Sequence, residues 1–358
     1  MTGNNITSNS WGARLFSSFN NTLRSNVLDN NLYGLQVSDY LYLDNQLSYF
    51  IHNIDASNSI NGKPICYWVN HNNEQVAIDA GYVALVNCTN ITVKDLNLKN
   101  NIQGMILAYT NDSRIQNLNI TNNEHGIYLC RSSNNTISNS EVSNNQFGMS
   151  IESSSENNIV YNNVTEADEG ITLAYSSSNN ITNNNISNNK YGGVLLSLSS
   201  DNNIAYNNVT GNGLVGIGIS SDGKGTLENN LLQGNNLTNN TCGVQLGYTS
   251  GNKCYNDNFV NNTQQAFVQV PIGGVSIGNV WDNGFEGNYW SDYNGTDSNQ
   301  DGIGDTPYII DANNIDHFPL MAQYVIPEFP TFLVLPIFMM VILLAIVIYR
   351  RKHMTRAL

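Results

Sequence analysis

The chain has 358 residues, a net charge of −14 and only 12% charged residues. Phosphate neutralisation needs clustered Lys and Arg, and the few here are scattered outside the last nine residues. Nucleic acid is therefore excluded as a partner.

In chain order, the opening "MTGNNITSNSWG" reads as the second half of a repeat, with Ile6 at a buried position before Gly12. No basic start followed by an apolar run precedes it, so no signal peptide is visible, and the start is expected to be truncated or misplaced. Gly12, Ala13, Leu15, Leu23 and Leu28 make one coil, and Gly34, Leu35 and Val37 begin the next. The rhythm lapses over residues 34–81, which hold "INGKPICYWVN" and are expected to form irregular insertion coils of the same stack. It resumes at Val83, Leu85, Val93 and Leu98.

From there the chain repeats itself about every 22 residues: Met105, Ile127, Met149 and Ile171 share one offset, and Leu107, Leu129, Ile151 and Leu173 another. Ile115, Ile137, Ile159 and Ile181 form a third column, and Ile120, Val142, Val164 and Ile186 a fourth. The residues between are largely Ser, Thr and Asn. A period in the twenties marks a solenoid. A leucine-rich repeat would need a leucine-dense core and a helical or turn-like convex side, whereas each unit here carries three short β-prone pieces between Ser and Asn corners. The fold predicted is all-β: a single-stranded, right-handed parallel β-helix over residues 1–266, with about eleven coils and a length on the order of 50 Å. One coil buries about four aliphatic side chains, roughly 6 to 12 kcal/mol, against about 1 to 2 kcal/mol of backbone entropy per ordered residue. No coil can stand alone, and stacked Asn columns are expected to bond the coils together. Later coils carry insertions, one of them around "NNLLQGNN". Insertions in a solenoid usually leave as loops on one face.

Residues 267–321 are expected to cap the carboxy-terminal end, with Tyr289, Trp290 and Tyr293 of "GNYWSDY" plugging the core. Within the cap, "DSNQDGIGD" places Asp297, Asn299, Asp301, the Ile303 carbonyl and Asp305 at the spacing of a calcium loop, with Gly302 at its sharp turn. Tyr308 stands where an EF-hand has its bidentate Glu, so Asp311 or Asp316 would have to complete the shell; the alternative is a polar turn. A linker, 322–331, leads to the apolar run 332–349, read as a transmembrane helix, and the basic tail 350–358, which would stay cytoplasmic. The β-helix would then lie outside the cell, as a single-pass surface protein. Pro327, Glu328, Phe329 and Pro330 resemble the PEF-type sorting signals of archaeal surface proteins, whose tail is cut off during anchoring. About fifteen N-x-S/T sequons, among them Asn87, Asn119, Asn163, Asn208 and Asn236, permit glycosylation of an exported chain. Of five cysteines, Cys254 falls on a core column and Cys130 on an outward one, and no metal spacing appears.

The coils of type "NNITNNNISNN", the insertion leading to "ALVNCTNITVKDLNLKNN" and the closing "GNYWSDYNGTDSNQDGIGDTPYIID" together resemble the NosD-like right-handed β-helix proteins, over nearly all of residues 1–321. These belong to a wider group of carbohydrate-binding and sugar-hydrolase β-helices, and the type with this closing segment is common on archaeal cell surfaces. The namesake takes part in copper supply to nitrous oxide reductase, a role that does not transfer with the fold. Copper wants converging His, Met or Cys, whereas His52, His71, His125 and His317 are spread along the rod and Met105 and Met149 lie on core columns.

Two functions remain. A polysaccharide lyase, hydrolase or epimerase would need acids and bases on neighbouring coils; the best cluster is Glu124 with His125 and, two coils on, Asp168 with Glu169, within about 10 Å on a shared corner. No paired-Asp or Asp-Pro-His signature accompanies it, and solvated corner charges are the alternative. The leading expectation is a non-catalytic surface or envelope component that binds carbohydrate or is purely structural. Tyr109, Tyr175 and Tyr248 share one outward offset and could form an interrupted aromatic row for glycans, with Tyr128 nearby; strand propensity would equally place Tyr there.

Overall fold

A computed structural model describes residues 1–38, 46–221, 229–269 and 278–325. Met1–Tyr324 form one compact unit; of the other, Val325–Leu358, only Val325 is described. The transmembrane expectation for 332–349, the basic tail and most of the linker lie outside the described residues, among which no helix is long and apolar enough to cross a membrane.

The compact unit is a right-handed parallel β-helix of about eleven turns. Three sheets of 13, 8 and 9 strands run along it, parallel except for one antiparallel pair in the first. The predicted columns are in register: Met105, Ile127, Met149, Ile171, Val194 and Ile217 are successive partners in the first sheet. Ile115, Ile137, Ile159, Ile181 and Ile204 are partners in the second. The third sheet stacks Ile120, Val142, Val164, Ile186 and Val209. All of these side chains are buried in one continuous core.

The corners explain the abundance of Asn. Asn157, fully buried, donates from Nδ2 to the Ser132 carbonyl at 2.9 Å, to the Ser155 carbonyl at 3.0 Å and to Asn179 Oδ1 at 3.1 Å. Its own Oδ1 accepts the backbone N–H and the side-chain amide of Asn135. The same pattern repeats through Asn179, Asn202, Asn230 and Asn252. A second corner runs Asn162, Asn184, Asn207 and Asn235, and a third Asn189, Asn212, Asn240 and Asn262. Other corner Asn residues, such as Asn139 and Asn183, adopt positive φ of 51° and 56°, which Asn tolerates better than most side chains. The glycine that leads each repeat has a packing reason: a Cβ on Gly126 would sit 2.5 Å from the Gly148 carbonyl oxygen.

The first two coils depart from the single stack expected. Trp11–Phe16 pairs with Tyr33–Ser38, Thr22–Leu23 with Asn53–Ile54, and Val27–Asp29 with Ser59–Ile60. Ser59–Ile60 then reverses into Lys63–Val69 as an antiparallel hairpin. Asn61 and Gly62 have φ of 50° and 75°, the two positive values that a tight type I′ turn requires. The hairpin turns the sheet's inside into its outside. Ile60, Ile65, Tyr67, Ala84, Ile106 and Tyr128 line the core of an amino-terminal lobe, while Val83, Leu85, Met105 and Leu107, on the opposite face of the same sheet, line the main core. Within the expected insertion coils of 34–81, Asn53–Ile54 and Ser59–Ile60 thus stack on the lobe, Ser59–Val69 makes its reversal, and Asn72 and Gln75 already pair with Thr89 and Thr92 on the main stack, where Val76 and Ala80 enter the core. The insertion expected around "NNLLQGNN" also moves: Leu231–Gln233 and Asn236–Thr238 are regular strands, so the additional residues precede them.

At the carboxy-terminal end Trp290 is sandwiched between Phe259 (4.2 Å between ring centroids) and Tyr308 (4.1 Å), and Trp281 packs beside it. Trp290 fulfils the expected plug, while Tyr289 and Tyr293 are only half-buried. Its indole N–H donates to Asp316 Oδ2 at 2.8 Å. The second Asn ladder ends in this region on Asp257, whose Oδ1 accepts from Asn235 N at 2.6 Å and whose Oδ2 accepts from the Cys254 thiol. Burial pushes the Asp257 carboxyl up to about 7 and that of Asp316 up to about 6.

Two outcomes follow for stability. Asn157→Leu, which strands buried amide and carbonyl groups of neighbouring coils, should lower the unfolding free energy by about 2 to 4 kcal/mol in denaturant titrations; Asn208→Ala, on an exposed strand position, should change it by under about 0.5 kcal/mol. Because both carboxyls titrate higher in the fold than at the unfolded value of about 3.9, their stabilisation is complete below pH 4 and is lost as pH rises through 6 to 7. Thermal melts should fall across that window, and Asp257→Asn should flatten the fall.

Candidate functional site

Side chains of the long first-sheet strands alternate between the core and the outside. Three outward columns result, and their composition changes along the axis. The central one reads Ala84, Ile106, Tyr128, then Ser150, Thr172, Leu195, Gly218, Gln245 and Phe267. Its neighbour reads Val86, Ala108, Cys130, then Glu152, Ala174, Ser197, Ser220 and Gly247. The first three residues of each are apolar or aromatic and lie in the core of the amino-terminal lobe. Beyond them the side chains are mostly small or polar, with Leu195 and Phe267 as exceptions, and the sheet opens into a groove of about 440 Å³, floored by Thr172, Leu195, Gly218 and Gln245 and flanked by Glu169 and Ser197.

The last covered strand and the first open one are tied together by side chains. His125 Nδ1 lies 2.9 Å from Ser150 Oγ, its ring stacked on Phe147 at 4.8 Å. Tyr128 Oη donates to Glu152 Oε2 at 2.7 Å. Burial lowers the His125 imidazole to about 4, so it is neutral at pH 7. Tyr128 and Cys130, expected to face solvent, do point away from the main core but are buried under the lobe.

The four residues of the expected acid–base corner are not gathered into one site. Glu124 lies beside Arg14 and Tyr33 of the lobe, with its carboxyl raised by burial against the opposing pull of Arg14. His125 is 8% exposed and engaged as described. Asp168 is 3.6 Å from Lys190 Nζ. Only Glu169 lines the groove, and burial, followed by the adjacent Asp168, raises its carboxyl.

Tyr109, Tyr175 and Tyr248 do share one corner column, all with positive φ of 52° to 59°. They differ in availability. Tyr175 is 64% exposed, Tyr109 is half-buried under the Arg131 guanidinium, 5.9 Å away, and the Tyr248 hydroxyl accepts from Gln269. Tyr109 and Tyr175 are three coils apart, about 14 Å, so they do not form a contiguous platform.

In the calcium-type loop, Asp297 accepts the backbone N–H groups of Asp301 (3.2 Å) and Gly302 (2.9 Å), with Gly302 at φ 88°. Asn299 donates to Asp301 Oδ2 at 2.8 Å. Asp305 turns to Ser298 and Thr296, whose hydrogen bonds hold its carboxyl below the usual range. Ile303 N–H is bonded to Asp301 Oδ1. Asp311 caps the Asn313–Asn314 turn, and Asp316 is committed to Trp290. Among the described residues no three His, Cys, Asp or Glu side chains converge as a metal would require.

Residues 162–295 match the family described as periplasmic copper-binding protein (NosD), and residues 48–185 match the right handed beta helix region. Each match spans less than half of the chain, so the likeness to NosD proteins belongs to residues 162–295, on a chain that folds as a right-handed parallel β-helix. No curated protein matches it. Among solved structures, the Azotobacter vinelandii mannuronan C-5 epimerase AlgE6 A-module is similar at 16% identity, covering 74% of this chain and 75% of that one, with a TM-score of 0.50. The AlgE4 A-module of the same organism is 18% identical over 76% and 78%, with a TM-score of 0.47. DFA-IIIase from Arthrobacter chlorophenolicus A6 is 15% identical over 54% and 57%, with a TM-score of 0.36. At such identities the likeness concerns the fold alone. Of the residue types that copper would need, Cys88, Cys130, Cys242 and Cys254 are buried, Cys66 is half-buried, and His125 is enclosed by Phe147 and Ser150.

The lobe makes unequal demands on the tyrosines. Tyr128→Ala should cost about 3 to 5 kcal/mol in unfolding experiments by opening a cavity under the lobe, while Tyr175→Ala should stay within about 0.5 kcal/mol.

Proposed function

We propose that this protein binds carbohydrate in the groove on the outer face of the first sheet, as a component of a cell surface or envelope. The observation that carries the reading is the groove itself: an open trough on rigid strands, with an apolar patch at Leu195 and hydrogen-bonding groups at Thr172, Ser197, Ser220 and Gln245 around it. Sugar rings need this combination of apolar contact and fixed polar partners. The floor is held by backbone ladders on both sides, so little ordering is required on binding. The mannuronan C-5 epimerase module AlgE6, which shares the fold, is consistent with a glycan ligand.

Anchoring rests on the apolar run 332–349 with its basic flank. A calcium ion, held through Asp297, Asn299, Asp301, the Ile303 carbonyl and Asp305, would stiffen the cap; the support is the spacing and the turn at Gly302, already organised by Asp297. Copper is not part of the proposal.

A second reading is favoured by one feature. Glu169 stands in the groove wall with its carboxyl raised by burial, the property a general acid on a glycan requires. Under that reading Glu169 is the residue that meets the ligand, and Glu124 and Asp168 are not.

Three measurements test these readings. A glycan array should identify a ligand whose affinity falls at least about tenfold in Ser197→Trp, which fills the groove without touching the core, with no change in melting temperature. Turnover of that ligand, lost in Glu169→Gln while binding persists, would establish the catalytic reading; binding without turnover would remove it. Calcium should raise the melting temperature of the wild type and not that of Asp297→Ala; absence of any shift discards the metal.

A further inference from the structure

The groove is closed at one end, and its described lining residues include no Lys or Arg. Over the first three long strands of the main solenoid the outward side chains Ala84, Ile106 and Tyr128 belong to the lobe's core. Ser150, the next residue of the column, is still only 8% exposed, and its hydroxyl is held by His125. Glu152, beside it, is held by Tyr128. The column opens only at Thr172. At its far end, Phe267 is 40% exposed on the last long strand. A linear molecule lying along the column therefore runs into the lobe on one side and, among the described residues, meets no second lobe on the other.

Charge adds a second constraint. Among the described lining residues Glu169 is the single charged one, and none is Lys or Arg. The nearby Lys190 lies 3.6 Å from Asp168 and 4.6 Å from the centre of the Tyr191 ring. A polyuronate brings a carboxylate on every residue. In a half-desolvated trough it would face Glu169 and no compensating cation among the described lining residues, on a protein whose net charge is −14. A neutral chain meets no such opposition.

Resting on the glycan-groove reading, we infer that the site takes the terminus of a linear neutral glycan, with the amino-terminal lobe as the stop that sets how far the chain end enters. Specificity then has two parts: the uncharged groove selects the kind of chain, and the lobe selects its end over its interior.

The test uses the full chain and hexasaccharides of two kinds: neutral (cellohexaose, maltohexaose and xylohexaose) and uronic (hexagalacturonate). Each is offered free and with a bulky uncharged label on the reducing or on the non-reducing end, and binding is read by calorimetry. The expected result is that a neutral hexamer binds, a label at one end lowers affinity at least tenfold, a label at the other changes it less than twofold, and hexagalacturonate binds at least tenfold more weakly. Equal tolerance of both labels, with Ser197→Trp still abolishing binding, would overturn the stop while leaving the groove in place. Hexagalacturonate binding more tightly than every neutral hexamer, with the same Ser197→Trp sensitivity, would overturn the neutral selectivity. If no hexamer binds, or if binding ignores Ser197→Trp, the groove reading itself fails, and the inference with it.

Discussion

Vertical bonding between identical amides is the interaction on which the structure depends. An aliphatic column by itself would tolerate slippage of one coil over the next, because apolar contact is non-directional. The buried Asn side chain removes that freedom. Asn157 must find Ser132 behind it, Asn179 ahead of it and Asn135 reaching into it, all at hydrogen-bond distance. A shift of one residue would leave several buried polar groups without partners, each costing about 1 to 3 kcal/mol. The chain can therefore be poor in large hydrophobic residues and still hold one register.

The same stacking leaves a problem at the ends, which the protein meets in two different ways. At the carboxy-terminal end the column of aliphatic side chains passes to Phe259, and Trp290 and Tyr308 continue the stack. Near the amino-terminal end the sheet changes its use: the Asn61–Gly62 turn reverses the strand, and one continuous sheet then serves as wall for two cores on its opposite faces. A sheet buried on both faces reads as an unbroken apolar run, as Tyr82–Val86 and Gln103–Ala108 nearly do, with every residue buried. Where the lobe ends, alternation returns, and with it the groove. The groove is thus the part of the sheet that the lobe leaves uncovered.

Much of this was legible before any coordinates. Columns such as Ile115, Ile137, Ile159 and Ile181, the role of Asn at the corners, and Trp290 as the plug all follow from a repeat whose copies see the same surroundings. The lobe was not legible by that route, because it breaks the repeat. Its one local signal, Asn61–Gly62 between two β-prone pieces, fits a tight hairpin, but a solenoid reading treats such a segment as an insertion. The burial of Tyr128 and Cys130 follows from the lobe and could not be seen without it. In the corner cluster of Glu124, His125, Asp168 and Glu169, adjacency in the stack brings residues near, while burial beside Phe147, the Asp168–Lys190 pair and the neighbouring Arg14 give His125, Asp168 and Glu124 separate environments that a repeat register does not record.

What the amino-acid order determined by itself is the periodic part: the length of a coil, which side chains enter the core, and which polar residues line up. These are nearest-neighbour properties, since every coil repeats the contacts of the one below it. What only the tertiary structure decided is where the sheet is covered and where it is open, because that depends on a single reversal bringing residues near position 35 over residues near position 106. A repeat carries no record of such a contact, which is made once, between unlike segments, and the place of the groove follows from it.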